Sequence, residues 1–517
     1  MKRFILLLFV FSSPLLAELS LPHFFSNGMV LQRDREVAIW GMADPGANVT
    51  INFKGRQANV WSDADGAWKA KIDSGPADAK GADLLISNGP EVTTLQNVLV
   101  GEVWLASGQS NMVFTMNRVP AYESVTAHAN FPEIRMFNAP LVTAVEPQSD
   151  IEGHWSACSP DTAPGYSAVA FFFARMLHRE LDVPIGIIKT AWGGKPVETF
   201  TSREALRSLP ETRPLVDAAV KADQSYDPQK ARQRFDAEMV KWEADDAAWR
   251  AQPVDQRDRR PRKPVLAKRA LDTEGQPGVL FNAMIHPFAG YTMQGAIWYQ
   301  GEANAKRGRV PYDVTLSLMI RDWRARWNDP FYFNFVQLAN YRQPSTKAGT
   351  PSSWALLQDR QRLILNFTPK TGMATINDTG EVDDIHPKNK HDVGERLARW
   401  ALSDTYGLPI VRSGPLFAKA TYDKGAATIE FQYVGKGLKA RDGKALQRFE
   451  IAGADKVWRW ANAKVVSPNS IQVVSAAVSN PVAVRYAWAD NPEGANLVNS
   501  EDLPASVFRT DDWDDAE

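Results

Sequence analysis

Cysteine is nearly absent: Cys158 is the single one in 517 residues. One thiol cannot close an internal disulfide, and it excludes a cysteine-built zinc cluster. An excess of charge of either sign is also missing, because 59 Lys and Arg stand against 60 Asp and Glu for a formal charge of −1. Nucleic-acid binders carry a basic excess to neutralise phosphates, so the balance argues against that class. Apolar runs are short everywhere. The one near the start, Phe4 to Phe11, falls well below the ~20 residues needed to span a bilayer. It follows Lys2 and Arg3 and precedes Ser12, Ser13, Pro14, Leu15, Leu16 and Ala17. A short positive region, a short apolar core and a small residue at the cleavage point read as a signal peptide over 1–17. That pattern predicts an exported protein, periplasmic in a Gram-negative source.

What is present is ordinary globular material, with 44% hydrophobic and 23% charged residues, which excludes a mostly disordered chain. The length suggests roughly three domains at ~150 residues each. Residues 18–95 read as β-structure. Val49, Ile51 and Phe53 alternate with polar neighbours, and Trp61 and Trp68 flank an Asp65-Gly66 turn as a hairpin would place them. Residues 407–517 behave similarly, with Ile429, Phe431 and Tyr433 alternating and turns at Asp423-Lys424-Gly425 and Arg441-Asp442-Gly443. Both ends are expected to supply β-sandwich material.

The middle, 96–406, has another rhythm. Short apolar runs at Val103–Ala106, Ile185–Ile188 and Ala296–Tyr299 alternate with helical stretches, of which Phe171–Leu181 and His391–Leu402 are two. Buried strands alternating with helices predict an α/β layer fold with a mostly parallel sheet. A charged helical insertion at about 203–275 interrupts it. Its helix from Pro228 to Arg250 carries Phe235, Met239, Trp242 and Trp249 at helical spacing. Packing on one edge of the body, or forming a wall over a site, would both fit.

Two constellations carry chemistry. Ser110, in Gly108-Gln109-Ser110-Asn111-Met112, follows the strand run directly. In open α/β sheets ligands bind beyond the carboxyl ends of strands, so this serine stands at the functional edge. Met112 sits where a Gly-x-Ser-x-Gly elbow would have its second glycine. A serine needs a base to become a nucleophile. Asp383-Asp384-Ile385-His386-Pro387 offers one, with Pro387 suited to a first helical position and His386 on the loop before it. Asp383, three residues back, can turn onto one imidazole nitrogen and leave the other for Ser110, while Asp384 is the alternative if the loop geometry reverses. His386 and His391 lack the spacing of a zinc-binding pair. Glu302 and Asp378 raise a two-carboxylate glycosidase as a rival. Trp192 and Trp298 serve either as sugar-stacking faces or as core.

Together with Trp192-Gly193-Gly194, Trp298-Tyr299-Gln300-Gly301-Glu302-Ala303-Asn304 and the tail motifs Val484–Pro492 and Phe508–Asp511, these segments resemble bacterial sialate O-acetylesterase-type proteins of the SGNH hydrolase superfamily. The resemblance runs from about residue 20 to 513 and leaves only the charged insertion unmatched. It implies a three-layer α/β/α, flavodoxin-like hydrolase domain and a serine esterase acting on acetylated carbohydrate. The sugar would be O-acetyl sialic acid, or acetylated plant polysaccharide such as xylan or xyloglucan. It implies Ser110 as nucleophile, His386 as base and then acid, and Asp383 orienting His386. The oxyanion hole would be the Ser110 N–H, a backbone N–H of Gly194, and a side-chain amide from Gln300, with Asn304 second. No metal and no cofactor are implied. A carbohydrate-binding protein with a vestigial core is the rival from another class.

Overall fold

The computed structural model describes residues 18–120, 122–126, 129–306 and 309–513. The stretch 1–17, read above as a signal peptide, lies outside the described residues. Seven strands form the central sheet: β1 (Glu91–Gly108), β2 (Phe131–Asn138), β3 (Trp155–Cys158), β4 (Ile185–Ala191), β5 (Gly295–Tyr299), β6 (Tyr332–Val336) and β7 (Thr371–Ala374). Their order across the sheet is β7-β6-β5-β1-β4-β2-β3. All neighbours are parallel except β2 and β3. The short apolar runs read from the sequence are these strands, buried along their whole length because helices cover both faces.

Six helices concern the site and the insertion: α1 (Ser110–Val113), α2 (Ala168–Leu181), α3 (Pro228–Ala251), α4 (Tyr312–Trp327), α5 (Ser353–Ile364) and α6 (Lys390–Trp400). α2 packs on α6 in one layer and α4 on α5 in another, giving the expected three-layer arrangement. Because β5, β6 and β7 lie on one side of β1 and β4, β2 and β3 on the other, the order reverses at β1. A crevice at the carboxyl end of that strand follows from this topology.

β1 is 18 residues long and belongs to two sheets. Its first half pairs antiparallel with Asp78–Asn88 and its middle parallel with Val30–Gln32, while its last residues lie between β4 and β5. The division drawn at 95/96 therefore falls inside one strand. The N-terminal β-material shares a single apolar core with the α/β layers. The C-terminal β-strands bury a core of their own around Ile429, Phe449, Tyr486 and Phe508.

One local expectation is corrected. The Asp65-Gly66 turn does not close a hairpin, because Arg56–Trp61 pairs with Asn48–Phe53 whereas Ala67–Asp73 pairs with Glu36–Met42. The chain crosses from one sheet to another there. Trp68 is buried between the layers, and Trp61 is 69% exposed. By contrast Asp423-Lys424-Gly425 does join two paired strands, with Lys424 and Gly425 both at positive φ as a primed turn requires. In the insertion, the aromatic stripe of α3 is covered by the returning chain: Trp242 Nε1–H donates to the Pro261 carbonyl at 3.1 Å and Trp249 Nε1–H to that of Asp258 at 2.6 Å.

α6 begins at Lys390, three residues later than Pro387 suggested, because Asn389 caps it by accepting from the Asp392 N–H. In its first turn His391 lies between Asp392 and Glu395, with Nε2 3.1 Å from the Glu395 carboxylate, and its ring meets Phe172 of α2 edge-on. Hydrogen bonds to Asp392 and then Glu395 lift its pKa to about 9 from 6.5. A raised folded-state pKa stabilises fully below the unfolded value, and that stability is lost as pH rises through about 9. Thermal melting of His391→Gln should therefore fall below wild type at about pH 6, with the gap closing by about pH 10. A gap that stays constant over that range would mean that charge contributes nothing there.

Candidate active site

The end of β1 explains the elbow. Gly108 pairs with Ala191 on one side and Tyr299 on the other, so three strands finish in one row. Its φ is +135°, and a Cβ there would lie 2.2 Å from the Tyr299 carbonyl oxygen. Only glycine fits. The chain then turns through extended Gln109 into α1, whose first residue is Ser110. After β4 the Gly193-Gly194 turn stands against Ser110, with a Cβ on Gly193 only 3.4 Å from that of Ser110. Gly194 takes φ +71°, open to a non-glycine residue only with strain. Among the described residues, the N–H groups of Ser110 and Gly194 have no acceptor.

Ser110 and His386 meet as expected: the hydroxyl is 2.9 Å from Nε2. The carboxylate is the correction. Asp384, not Asp383, faces Nδ1 at 3.1 Å, and the same Oδ1 accepts the His386 backbone N–H at 2.9 Å. Asp383 is exposed and makes no contact with the imidazole. The reason is local: an Asx-type turn in which a carboxylate accepts the N–H two residues on brings residue i, not i−1, beside the ring. That N–H, then the imidazole, holds the Asp384 carboxyl below the usual carboxylate range, against partial burial.

The side-chain oxyanion donors are corrected too. Gln300 is fully buried; its amide donates to Asn304 Oδ1 at 2.7 Å and the Lys195 carbonyl at 3.3 Å, and Tyr312 donates to its Oε1 at 2.6 Å. Asn304 donates to Glu198 and accepts from the Val197 N–H at 3.1 Å. Both amides are consumed in bracing the segment that follows Gly194, so neither is free to meet an oxyanion.

Behind Ser110 lies a polar cluster that the sequence reading did not single out. Asn111 Nδ2–H donates to Glu302 Oε1 at 2.5 Å and to the Ile385 carbonyl at 3.1 Å, while Lys390 Nζ donates to its Oδ1 at 2.5 Å. Burial raises the Glu302 pKa and lowers that of Lys390 to about 7. No spacing in the sequence links residues 111, 302 and 390. A lysine at a helix start after a capping asparagine was the only available sign.

Other candidates find ordinary roles. Trp298 is core, edge-on to Phe200 and Trp323, whereas Trp192 is half-buried beside the glycine turn with Lys195 over its ring. Asp378 is held by Arg396 at 2.5 Å and Arg441 at 2.7 Å. His286 meets the Gln148 carbonyl at 2.8 Å. Among the described residues no group of three or more His, Cys, Asp or Glu is gathered as for a metal ion. The tail motif has a use: Asp490 and Asn491 hold residues 340–342, which in turn bond to Gly380 and Val382 at the root of the His386 loop.

No family model matches the chain. A carbohydrate acetylesterase from Xanthomonas citri, solved by crystallography, is 35% identical and superposes with a TM-score of 0.79 over 96% of this chain and 100% of that one. The sialate O-acetylesterase of Mus musculus is 29% identical over 94% of this chain and 93% of its own length. That of Homo sapiens is 27% identical over 91% and 87%.

The two neighbouring aspartates give a direct test. Asp384→Asn should cut turnover of an acetyl ester by about 10⁴-fold, since the imidazole loses its orienting anion, and Asp383→Asn should stay within about twofold of wild type. The reverse ranking in steady-state assays would return the role to Asp383.

Proposed function

The chain belongs to the carbohydrate acetylesterases of the sialate O-acetylesterase type and is an esterase; from that premise we propose that it removes acetyl groups through a covalent acetyl-enzyme on Ser110. The observation that carries this reading is the continuous contact from the Ser110 hydroxyl to His386 Nε2 and from Nδ1 to Asp384. As Ser110 Oγ attacks the acetyl carbonyl, its proton passes to Nε2, and the imidazolium is stabilised by Asp384. The oxyanion forms against the free N–H groups of Ser110 and the Gly193-Gly194 turn, where each such donor is worth about 10²–10³-fold in turnover. His386 returns the proton to the departing sugar oxygen. Water, deprotonated by the same nitrogen, then releases acetate and restores Ser110.

The substrate in this proposal is an acetylated carbohydrate, either O-acetyl sialic acid or an acetylated plant polysaccharide such as xylan or xyloglucan, with half-buried Trp192 as a stacking surface beside the scissile ester. The pattern of residues 2–17 supports export, so the reaction is proposed to occur outside the cytoplasm. The rival readings lose support here. A glycosidase would need two free carboxyl groups, but Asp378 is spent on two arginines and Glu302 is buried on Asn111. A vestigial core is disfavoured by an intact serine, histidine and aspartate in contact.

Acetate release from O-acetylated sialic acid, acetylated xylan and acetylated xyloglucan tests the proposal. Ser110→Ala and His386→Ala should each lose on the order of 10⁴-fold or more, and the double variant should lose little beyond either. Release that survives Ser110→Ala would sink the acetyl-enzyme. Multiplying losses would argue against the pair acting as one unit.

A further inference from the structure

Lys390 sits in the least favourable place for a cation: fully buried, at the first residue of a helix, where the macrodipole is positive. A buried ion costs several kcal/mol unless it is compensated. Its compensation is specific. One N–H reaches Asn111 Oδ1, and the ammonium lies 4.8 Å from the Phe114 ring centroid and 5.3 Å from that of Tyr299. On the far side of Asn111, Glu302 is also buried, and its Oε2 has no hydrogen-bond partner. As an ammonium Lys390 only donates, as a carboxylate Glu302 only accepts, and the Ile385 carbonyl accepts in any state, so together they favour one orientation of the Asn111 amide. In it, Nδ2–H points at the carbonyl of Ile385.

That carbonyl belongs to the peptide unit whose N–H is that of His386. The N–H end is fixed by Asp384 at 2.9 Å and the C=O end by Asn111 at 3.1 Å. One rigid peptide plane, held at both ends, carries the base. Its Asn111 anchor is the residue next to the nucleophile. We propose that Asn111, oriented by the Lys390–Glu302 pair, is a positioning residue that sets the His386 imidazole against Ser110. This rests on the serine–histidine reading above. It assigns to Glu302, in the Tyr299-Gln300-Gly301-Glu302 motif, and to Lys390 work at a distance from the substrate.

The test is Asn111→Asp, which keeps the shape and the oxygen facing Lys390 but removes the donors to Ile385 and Glu302. With folding followed by circular dichroism, kcat for acetate release should fall about 10²-fold with KM within about twofold, the scale expected of small misplacement at a reacting pair. Placed in a His386→Ala background, the same change should cost nothing further, because it acts through that side chain. Unchanged kcat, or an equal loss without the histidine, would overturn the inference. If Asn111→Asp fails to fold, Lys390→Met decides in its place: about a tenfold loss in kcat at unchanged KM supports the clamp, and wild-type kcat in a folded variant refutes it. Ser110→Ala in the same assay separates the two levels, since activity surviving there overturns the serine mechanism and the clamp with it.

Discussion

The functional edge depends on the closeness of Gly108 to the carbonyl of Tyr299. Because β1 ends between β4 and β5 in exact register, with Gly108 opposite both Ala191 and Tyr299, three loops leave the sheet from one row of residues. Each brings one part of the chemistry: the elbow supplies Ser110, the next loop the glycine turn, and the third Glu302 with the amides that brace that turn. A side chain at 108 would push β5 from β1 and scatter all three. The positive φ that glycine permits also sets the turn that presents Ser110 at the start of α1.

Around this row the protein keeps polar groups where apolar ones would pack more cheaply. Gln300, Asn304, Tyr312 and Glu198 form one buried network behind the glycine turn, and Asn111, Glu302 and Lys390 another behind Ser110. Fully satisfied networks of this kind rigidify, because any other arrangement strands a donor or acceptor out of water. Glu302 Oε2 is the exception within them. The two divide the work: the first network holds the backbone after the glycine turn, and the second holds the peptide that carries His386.

Much of this was legible from residue patterns. The apolar runs at 103–106, 185–188 and 296–299 are strands because burial on both faces leaves no alternation to read, and Ser110 and His386 were recognisable as a pair from their places after a strand and before a helix. The failures at the site share one cause, since each concerned where a side chain points. Asp383 and Asp384 differ by one position in a loop, and only the bond from the His386 N–H selects between them. Gln300 and Asn304 have the right chemistry to donate, but their partners at 195, 197, 198 and 312 lie in segments no spacing rule connects to them. The hairpin at Asp65-Gly66 failed likewise, because alternation marks strands without saying which sheet each joins.

The C-terminal β-segment bears on the site through the loops that it holds. Asp490 accepts from the Tyr341 side of the 340–342 segment only in part: its carbonyl takes the Tyr341 N–H, and its carboxylate takes Arg342 and Ser352. Asn491 spans Asn340 and the Arg342 carbonyl. From there the Arg342 N–H reaches Val382, and Glu381 binds Lys388, so the loop is fastened on both sides of His386. The His386 peptide is thus held by the cluster at Asn111, and its loop by segments that the tail fastens. The charged insertion reaches the opposite rim, where Glu274 meets Lys195 at 3.1 Å beside the glycine turn. The elbow and the glycine turn are thus set by neighbouring strand ends, while the rim beside that turn is assembled from the insertion and the loop that carries Lys195.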